Sequence, residues 1–299
     1  MNSTHVAVDL AKSVFQVAVS TTPGHDAIAI LEASRNEAID PVPVKTIEQQ
    51  ALTSLHRLRS AYVADRTARI NTVRGILREF GYALPQGSRT FVAHARVALD
   101  DEPLPQHLRE ELSRALDEIV TFRNTIAEIT NRIEALGASM PDVSFLRSVP
   151  GIGVLTATAL VAFVGDPHRF HSSRHFASFL GLTPRESSSG LRRRLGRISK
   201  RGDTYLRMLL VHGARSALLA ARRAQQPGPL QLWALRVELR SGHNKATVAL
   251  ANRLARIAWR VWREQRSYEP SPAFGHPGQG GRHQRAATRS RGWLTVGPA

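Results

Sequence analysis

Cysteine is absent from the 299 residues of this chain, which excludes disulfide bonds and thiolate metal sites. Long apolar runs are also missing, since no segment approaches the roughly 18 uninterrupted apolar residues that a membrane helix needs. Asp9 and Lys12 interrupt the short apolar stretches near the start, a pattern that is not typical of a signal peptide. We therefore expect a soluble, cytoplasmic protein without a membrane partner.

Acidic residues are too few to balance the basic ones. Lysine and arginine number 41 against 24 aspartates and glutamates, which leaves a formal net charge of +17 at pH 7. An excess of this size usually meets a polyanion, most often nucleic acid, and arginine binds phosphate through two parallel hydrogen bonds. A charged solubility surface and an acidic membrane face are the alternatives. The charge balance favours a nucleic-acid partner.

Alternating β-branched residues predict two short strands around a turn within residues 5–20. A long helix is then predicted from Thr46, whose side chain can cap the helix together with Gln49, and Gly81 ends this helix. The segment 81–105 contains three prolines and two glycines, and it predicts a loop.

A second long helix is predicted over residues 106–137. Its apolar residues recur every seven positions in two rows, which are Leu112, Ile119, Ile126 and Ile133, and Phe122, Ile129 and Leu136. A seven-residue apolar repeat is typical of a coiled coil. The two long helices are therefore predicted to pack as a long antiparallel coiled-coil hairpin, and a dimerisation arm is the alternative.

Residues 148–166 contain a glycine-rich turn between two apolar segments. The turn, Pro-Gly-Ile-Gly at 150–153, can direct its amides outward at the start of the next helix, an arrangement that holds phosphate without sequence preference. The pattern resembles the helix-hairpin-helix DNA-binding element. The resemblance implies that Gly151, Gly153 and Thr156 contact DNA. A plain turn between two packed helices is the alternative.

Three serines, Ser187 to Ser189, follow in a loop that is rich in arginine. The basic residues predicted to contact nucleic acid are Arg185, Arg192, Arg193, Arg194, Arg197, Lys200 and Arg201. A serine can attack phosphorus when cations neutralise the phosphate and a base accepts the hydroxyl proton. The cations are abundant here, but the sequence reveals no obvious base. On physical grounds alone, a flexible loop with a solvated arginine face stays an alternative.

Three segments, residues 149–216, 242–264 and 41–61, together resemble the IS-110 family of insertion-sequence transposases, in its IS-1111 branch. The similarity extends over residues 5–265. It implies an N-terminal ribonuclease-H-like domain with four magnesium-binding carboxylates, a coiled coil, and a C-terminal domain with a catalytic serine. It also implies a protein that excises and inserts a circular DNA element, in some members with a guide RNA from that element.

The resemblance assigns catalytic roles to four residues. Asp9 matches the first carboxylate and Asp26 the last, so both are expected to bind Mg²⁺. Ser189 matches the nucleophile, with Ser188 as the alternative. The interval between Asp9 and Asp26 contains no other aspartate or glutamate, so two carboxylates have no counterpart.

This gap predicts an internal deletion in the N-terminal domain. Two magnesium ions need carboxylates that converge from several elements, and two aspartates do not supply them. We therefore expect an incomplete magnesium site, a poorly ordered or rearranged N-terminus, and weak or absent strand transfer.

The predicted fold class is mainly α, in four parts. These are a truncated ribonuclease-H-like α/β N-terminus at 1–45, a coiled-coil helical hairpin at 46–140, a helical C-terminal domain with helix-hairpin-helix and serine loop at 141–266, and a disordered basic tail at 267–299. The expected function is DNA transposition, impaired in this copy. The expected partners are element ends, target DNA, a guide RNA and further copies of the chain. The alternatives are a non-catalytic nucleic-acid-binding remnant and a helix-hairpin-helix protein of the DNA repair type.

Overall fold

The structure is a computed structural model that describes residues 6–10, 15–19, 32, 44–87, 89–101, 104–189, 192 and 194–270. Most of these residues are helical, which confirms the mainly α fold class. No helix in this part of the chain is long and apolar enough to cross a membrane. The predicted disordered tail lies outside the described residues from position 271 onward.

The elements follow one another along the chain in this order. Two strands, β1 (Val6–Leu10) and β2 (Phe15–Val19), precede three helices, α1 (Ile47–Glu79), α2 (Phe91–Asp101) and α3 (Gln106–Ala138). Next come α4 (Pro141–Arg147), α5 (Val154–Val164), a short 3-10 helix (Pro167–Arg169) and α6 (Ser173–Phe179). Two more strands, β3 (Pro184–Glu186) and β4 (Leu195–Ile198), lead to α7 (Thr204–Arg223), α8 (Pro229–Ser241) and α9 (His243–Arg263).

The N-terminal strands β1 and β2 pair as an antiparallel hairpin, with Val6 opposite Val19 and Asp9 opposite Gln16. This pairing confirms the two predicted strands. A two-stranded sheet is marginally stable at best in water, and a ribonuclease-H-like sheet needs further strands. Within the described ranges no third strand joins this sheet. The ribonuclease-H-like architecture therefore stays a prediction.

Both predicted ends of the first long helix are confirmed. The Thr46 hydroxyl accepts a hydrogen bond from the backbone N–H of Gln49 (3.2 Å), and the Gln49 side chain accepts one from the backbone N–H of Thr46 (3.1 Å). This reciprocal pair satisfies two donors at the helix start. At the other end the helix stops at Glu79, and Gly81 follows with a φ of +93°, a conformation that favours glycine.

Helices α1 and α3 pack side by side in opposite directions. Arg59 donates a hydrogen bond to Thr130 (2.8 Å), whereas Arg69, further along α1, pairs with Glu118, which lies earlier in α3 (2.7 Å). Contacts that run forward on one helix and backward on the other define an antiparallel pair. This is the arrangement of the predicted hairpin.

The two apolar rows of α3 differ in burial. The first row, Leu112, Ile119, Ile126 and Ile133, is buried throughout. In the second row Ile129 is buried, but Leu136 is 42% exposed. Leu116 and Gly137 belong to neither row and are buried. The buried face therefore follows the 3.6-residue period of an α-helix, and a heptad supercoil stays a prediction.

The predicted loop at 81–105 is wrong in its middle, where α2 runs from Phe91 to Asp101. Phe91, Ala95 and Leu99 recur every four residues and are buried in a core shared with α1 and α3. The prolines and glycines of this segment lie only on its flanks, and they concealed the helical period between them.

A second core holds α4 to α9 together, with α9 at its centre. The buried side of α9 includes Leu250, Leu254 and Val261, and α9 contacts α4, α6, α7 and α8. Burying apolar side chains at a spacing of three to four residues fixes which side of the helix faces solvent. Helix α9 therefore has an apolar face toward the core and a polar face toward solvent.

A buried histidine anchors the helical hairpin to this second core. His56 of α1 lies with its Nε2 3.0 Å from Thr158 Oγ1 on α5, and its Nδ1 lies 3.0 Å from Tyr205 Oη on α7. Burial, assisted by the charge of Arg59, lowers the pKa of His56 to about 4. The neutral imidazole thus joins three helices that are far apart in sequence.

Acid should weaken this anchor. An unfolded chain binds a proton at histidine near pH 6.5, whereas folding lowers the pKa of His56 to about 4. The folded state therefore binds fewer protons in this window, and stability that is complete above pH 6.5 is lost as the pH falls to 4. The loss is at most about 3 kcal/mol.

We predict that the free energy of unfolding, measured by urea denaturation, decreases over this window. The His56→Gln variant keeps hydrogen-bonding groups without a titrating imidazole, so its decrease should be smaller. An equal decrease in both proteins would show that His56 is not responsible.

Candidate nucleic-acid interface

The predicted serine loop is a β-hairpin. Strands β3 and β4 pair antiparallel, with Pro184 opposite Ile198. The pairing continues beyond the strands, because Ser189 and Arg192 exchange both backbone hydrogen bonds (3.2 and 3.1 Å). Every described residue from 184 to 197 is exposed. The serines therefore lie at the end of a hydrogen-bonded arm that projects from the helices.

The side chain of Ser188 is engaged within the hairpin. Its Oγ donates a hydrogen bond to Glu186 Oε1 (2.7 Å) and accepts one from the backbone N–H of Arg194 (3.1 Å). Sequence reasoning missed Glu186. The signal was its spacing of two residues from Ser188, which places both side chains on one face once the segment is a strand.

Ser189 faces the opposite way from Ser188, because successive residues of a strand point to opposite faces. Residues that pair directly across a hairpin share a face, so the Arg192 side chain lies on the Ser189 side. Arg194 is close by in the hairpin, since Ser187 donates its N–H to the Arg194 carbonyl (3.0 Å). The Ser189 hydroxyl has no hydrogen bond with any described residue. It is exposed on the face that carries Arg192.

The basic residues predicted to contact nucleic acid form one exposed patch, which we call the basic hairpin. Its described members are Arg185, Arg192, Arg194, Arg197, Lys200 and Arg201, all of them exposed. Arg193 lies outside the described residues. No salt bridge joins the six described members to an acidic residue in the described ranges. Their charges face solvent, where a polyanion can reach them.

Two glycines fix the base of the hairpin. Gly181 has a φ of +69° and Gly202 a φ of +108°, both in the left-handed region. A Cβ added to Gly202 would lie 1.9 Å from the carbonyl oxygen of Phe179. The two ends of the hairpin pass each other backbone to backbone, and no larger residue fits there.

The glycine-rich turn at 150–153 connects α4 and α5. Gly153 is exposed at the start of α5, whereas Gly151 (φ +94°) packs against α7, where a Cβ on Gly213 would lie 2.0 Å from the Gly151 carbonyl oxygen. Thr156 is only 5% exposed. Of the three predicted contacts, Gly153 is the one that faces solvent, and the DNA-binding role of this turn stays a prediction.

The magnesium-binding roles of Asp9 and Asp26 stay a prediction. Asp9 belongs to β1, and Asp26 lies outside the described residues. The described ranges contain no group of three acidic or histidine side chains that could hold a metal ion. Two carboxylates, where the resemblance implies four, do not fit a site for two magnesium ions.

Comparison with known proteins establishes the family. Residues 143–227, which contain both the glycine-rich turn and the basic hairpin, match the transposase IS116/IS110/IS902 family. A probable family 20 transposase of Pseudomonas aeruginosa is 41% identical over 249 residues, which cover 82% of this chain and 73% of the relative.

Two further relatives agree. The transposase for insertion sequence element IS1111A of Coxiella burnetii is 38% identical over 82% of this chain and 67% of its own length. The transposase for insertion sequence element IS1328 of Yersinia enterocolitica is 38% identical over 79% of this chain and 70% of its own length. The chain belongs to the IS116/IS110/IS902 family of insertion-sequence transposases, which confirms the family expected from its motifs.

Gly213→Ala should destabilise the protein. The added Cβ would lie 2.0 Å from the backbone oxygen of Gly151, and a backbone atom cannot swing aside as a flexible side chain can. We expect the free energy of unfolding to fall by about 2 kcal/mol or more. Gly75→Ala is the matched control, because Gly75 lies in α1 with no atom within 4 Å of an added Cβ. This control should raise the free energy of unfolding by about 0.5–1 kcal/mol. If denaturation showed the free energy of unfolding changing in the same direction for both variants, the close contact would be contradicted.

Removing two charges from the basic hairpin should weaken DNA binding in a salt-dependent way. Each lost phosphate contact reduces the slope of log K against log salt by about 0.9, so Arg192→Ala/Arg194→Ala should reduce it by about 2. Fluorescence anisotropy with a labelled duplex at several salt concentrations measures this slope. Arg123→Ala/Arg132→Ala removes the same charge from exposed positions of α3. Equal slopes for the two double variants would contradict a role of the hairpin.

Proposed function

We propose that this chain binds DNA through the basic hairpin and presents Ser189 as the nucleophile of DNA strand exchange during transposition of its insertion sequence. The observation that carries the proposal is the division between the two serines. Ser188 is held by Glu186 and the Arg194 backbone, whereas the Ser189 hydroxyl is exposed on the arginine face. The family assigns the reaction class, and the hairpin geometry supports the choice of serine.

The arrangement suits attack on a phosphodiester. Ser189 Oγ would form an ester bond to phosphorus, and a phosphorus–oxygen bond to deoxyribose would break, leaving a sugar hydroxyl that takes up a proton. Arg192 and Arg194 would stabilise the negative charge that develops on the phosphate oxygens. Glu186 holds Ser188 on the opposite face, so it positions the hairpin, and the serine proton passes to a base from elsewhere in the assembly.

We further propose that strand exchange is impaired in this copy. Only Asp9 and Asp26 correspond to the four carboxylates of the family, and the interval between them contains no other acidic residue. The aligned region is 82% of this chain but 73% of the Pseudomonas relative, so that relative is the longer protein. Its additional length supports an internal deletion. The chain would then act chiefly as a nucleic-acid-binding protein.

The proposed partners follow from the same family reasoning. They are the ends of its own element, a target DNA, a guide RNA from the element, and further copies of the chain. The net charge of +17 supports the polyanionic partners. A repair-type helix-hairpin-helix protein accounts for the glycine-rich turn, but it does not account for the match over residues 143–227 or for the transposase that aligns with 82% of this chain.

The two serines should differ sharply in a background with a complete carboxylate set. A chimera that replaces residues 1–45 with the N-terminal region of the Pseudomonas relative supplies this background. Strand exchange between element ends and target DNA is measured with magnesium present. The chain itself should form little product, and the chimera should form at least about tenfold more, since the two ions can then be held. Recombination by the original chain at the level of the relative would contradict the impairment.

Within the chimera, Ser189→Ala should lower strand exchange by at least about 10³-fold, because it removes the nucleophile. Ser188→Ala loses a positioning hydrogen bond and should cost only about tenfold. Ser187→Ala serves as the matched control with activity unchanged, and duplex binding by each variant reports that the fold is intact. Loss of activity in Ser188→Ala with activity retained in Ser189→Ala would assign the nucleophile to Ser188.

A further inference from the structure

Helix α9 carries a row of polar side chains that the basic hairpin does not explain. The outward residues Lys245, Asn252, Arg256 and Arg263 are separated by seven, four and seven positions. Such spacings return to nearly the same angle around an α-helix, so the four side chains form one line along the solvent side. The line runs from position 245 to position 263 and is about 27 Å long. We call it the α9 face.

No acidic side chain of α9 neutralises this face. The sequence from His243 to Arg263 contains no aspartate or glutamate, and Glu264, just beyond it, pairs with Arg260 (2.8 Å) and Arg266 (2.6 Å). Arg260 is therefore compensated, whereas the helix supplies no acidic partner to Lys245, Arg256 and Arg263, and their charges raise the local positive potential. An anion from outside the chain would lower this potential.

Helix α6 packs against α9 and carries a further exposed cation, Arg174. Arg256 has Arg174 as a charged neighbour, and partial burial together with the Arg174 charge lowers the pKa of Arg256. Neither arginine forms a salt bridge with a described residue. Two like charges held near each other without an acid are unfavourable in the free chain, and a phosphate between them would turn the repulsion into attraction.

Two members of the α9 face, Asn252 and Arg263, are held by contacts with neighbouring elements. The Asn252 amide donates a hydrogen bond to the Leu182 carbonyl (3.0 Å), directly before the basic hairpin begins. Arg263 donates to the Phe170 carbonyl (3.2 Å), and its guanidinium lies 5.0 Å from the centre of the Trp259 ring. Side chains that are already ordered lose little entropy on binding. The contact at Leu182 also makes the α9 face continuous with the base of the hairpin.

We propose that the α9 face, together with Arg174, is a second DNA-binding surface that contacts the phosphate backbone of a duplex beside the segment held by the basic hairpin. The ligand is a phosphate backbone because the face offers cations in a line and few groups that could read bases, so binding is independent of sequence. The inference rests on the proposed function, in that the chain binds DNA. It adds a second contact region, remote from Ser189 in sequence.

The test uses the full chain with Arg174→Ala/Arg256→Ala. A labelled DNA duplex without element sequence is the probe, and anisotropy is recorded over a range of salt concentrations. Because two phosphate contacts are lost, the slope of log K against log salt should fall by about 2, with at least tenfold weaker binding at low salt, on the order expected for two contacts. Thermal stability should not decrease, since neither side chain forms a salt bridge with a described residue and removing both charges relieves their repulsion.

Two comparisons separate this inference from the proposed function. Arg123→Ala/Arg132→Ala on α3 removes the same charge, and Arg192→Ala/Arg194→Ala removes the hairpin contacts. Weaker binding by the hairpin variant, with the Arg174/Arg256 variant equal to the α3 control, would overturn the α9 face and leave the proposed function in place. Absence of duplex binding by the unaltered chain would overturn both. An RNA duplex of the same sequence completes the design: a loss confined to RNA would overturn the assignment to DNA.

Discussion

Contacts between bare backbones at glycine fix the C-terminal half of this protein. A Cβ added to Gly213 would lie 2.0 Å from the Gly151 carbonyl oxygen, and a Cβ added to Gly202 would lie 1.9 Å from the Phe179 carbonyl oxygen. The first contact sets the glycine-rich turn against α7, and the second closes the base of the hairpin. Backbone atoms cannot rotate away, so these contacts locate the turn, α7 and the serine arm relative to one another more rigidly than side-chain packing does.

A rigid base is what a serine on an exposed arm requires. A nucleophile at the tip of an irregular loop would sample many positions, and a misplacement of about 1 Å is enough to cost much of the rate. In this protein the two strands of the hairpin are paired, and the Ser188 hydroxyl donates a hydrogen bond to Glu186. Directly after the hairpin, the Asp203 side chain caps α7 by accepting a hydrogen bond from the Leu206 N–H (2.8 Å). Neighbouring side chains of a strand point to opposite faces. Ser188 is therefore engaged within the hairpin, whereas Ser189, the proposed nucleophile, is exposed.

The helical part of the fold could be predicted because its signals are local. Thr46, Gln49 and Gly81 mark the ends of α1 within a few residues of sequence, and the buried row from Leu112 to Ile133 is periodic. Helix α2 was missed because flanking prolines and glycines outweighed its short period. The sequence predicts a loop at the serines because the segments of β3 and β4 are short, exposed and without apolar alternation. The contact between Glu186 and Ser188 follows only once the strand is known. The pairing of His56 with residues 102 and 149 positions away follows only once the packing of the helices is known.

The proposed DNA-binding surfaces and the carboxylates expected to bind magnesium belong to separate parts of the chain, since Asp9 and Asp26 lie near its start and both surfaces lie after position 170. Among the described residues, the buried members of the cores around α3 and α9 lie between positions 70 and 262. The His56 anchor likewise joins elements that all lie after position 44. In the proposed function, the missing carboxylates lower strand exchange, while the basic hairpin and the α9 face keep the support of the core around α9.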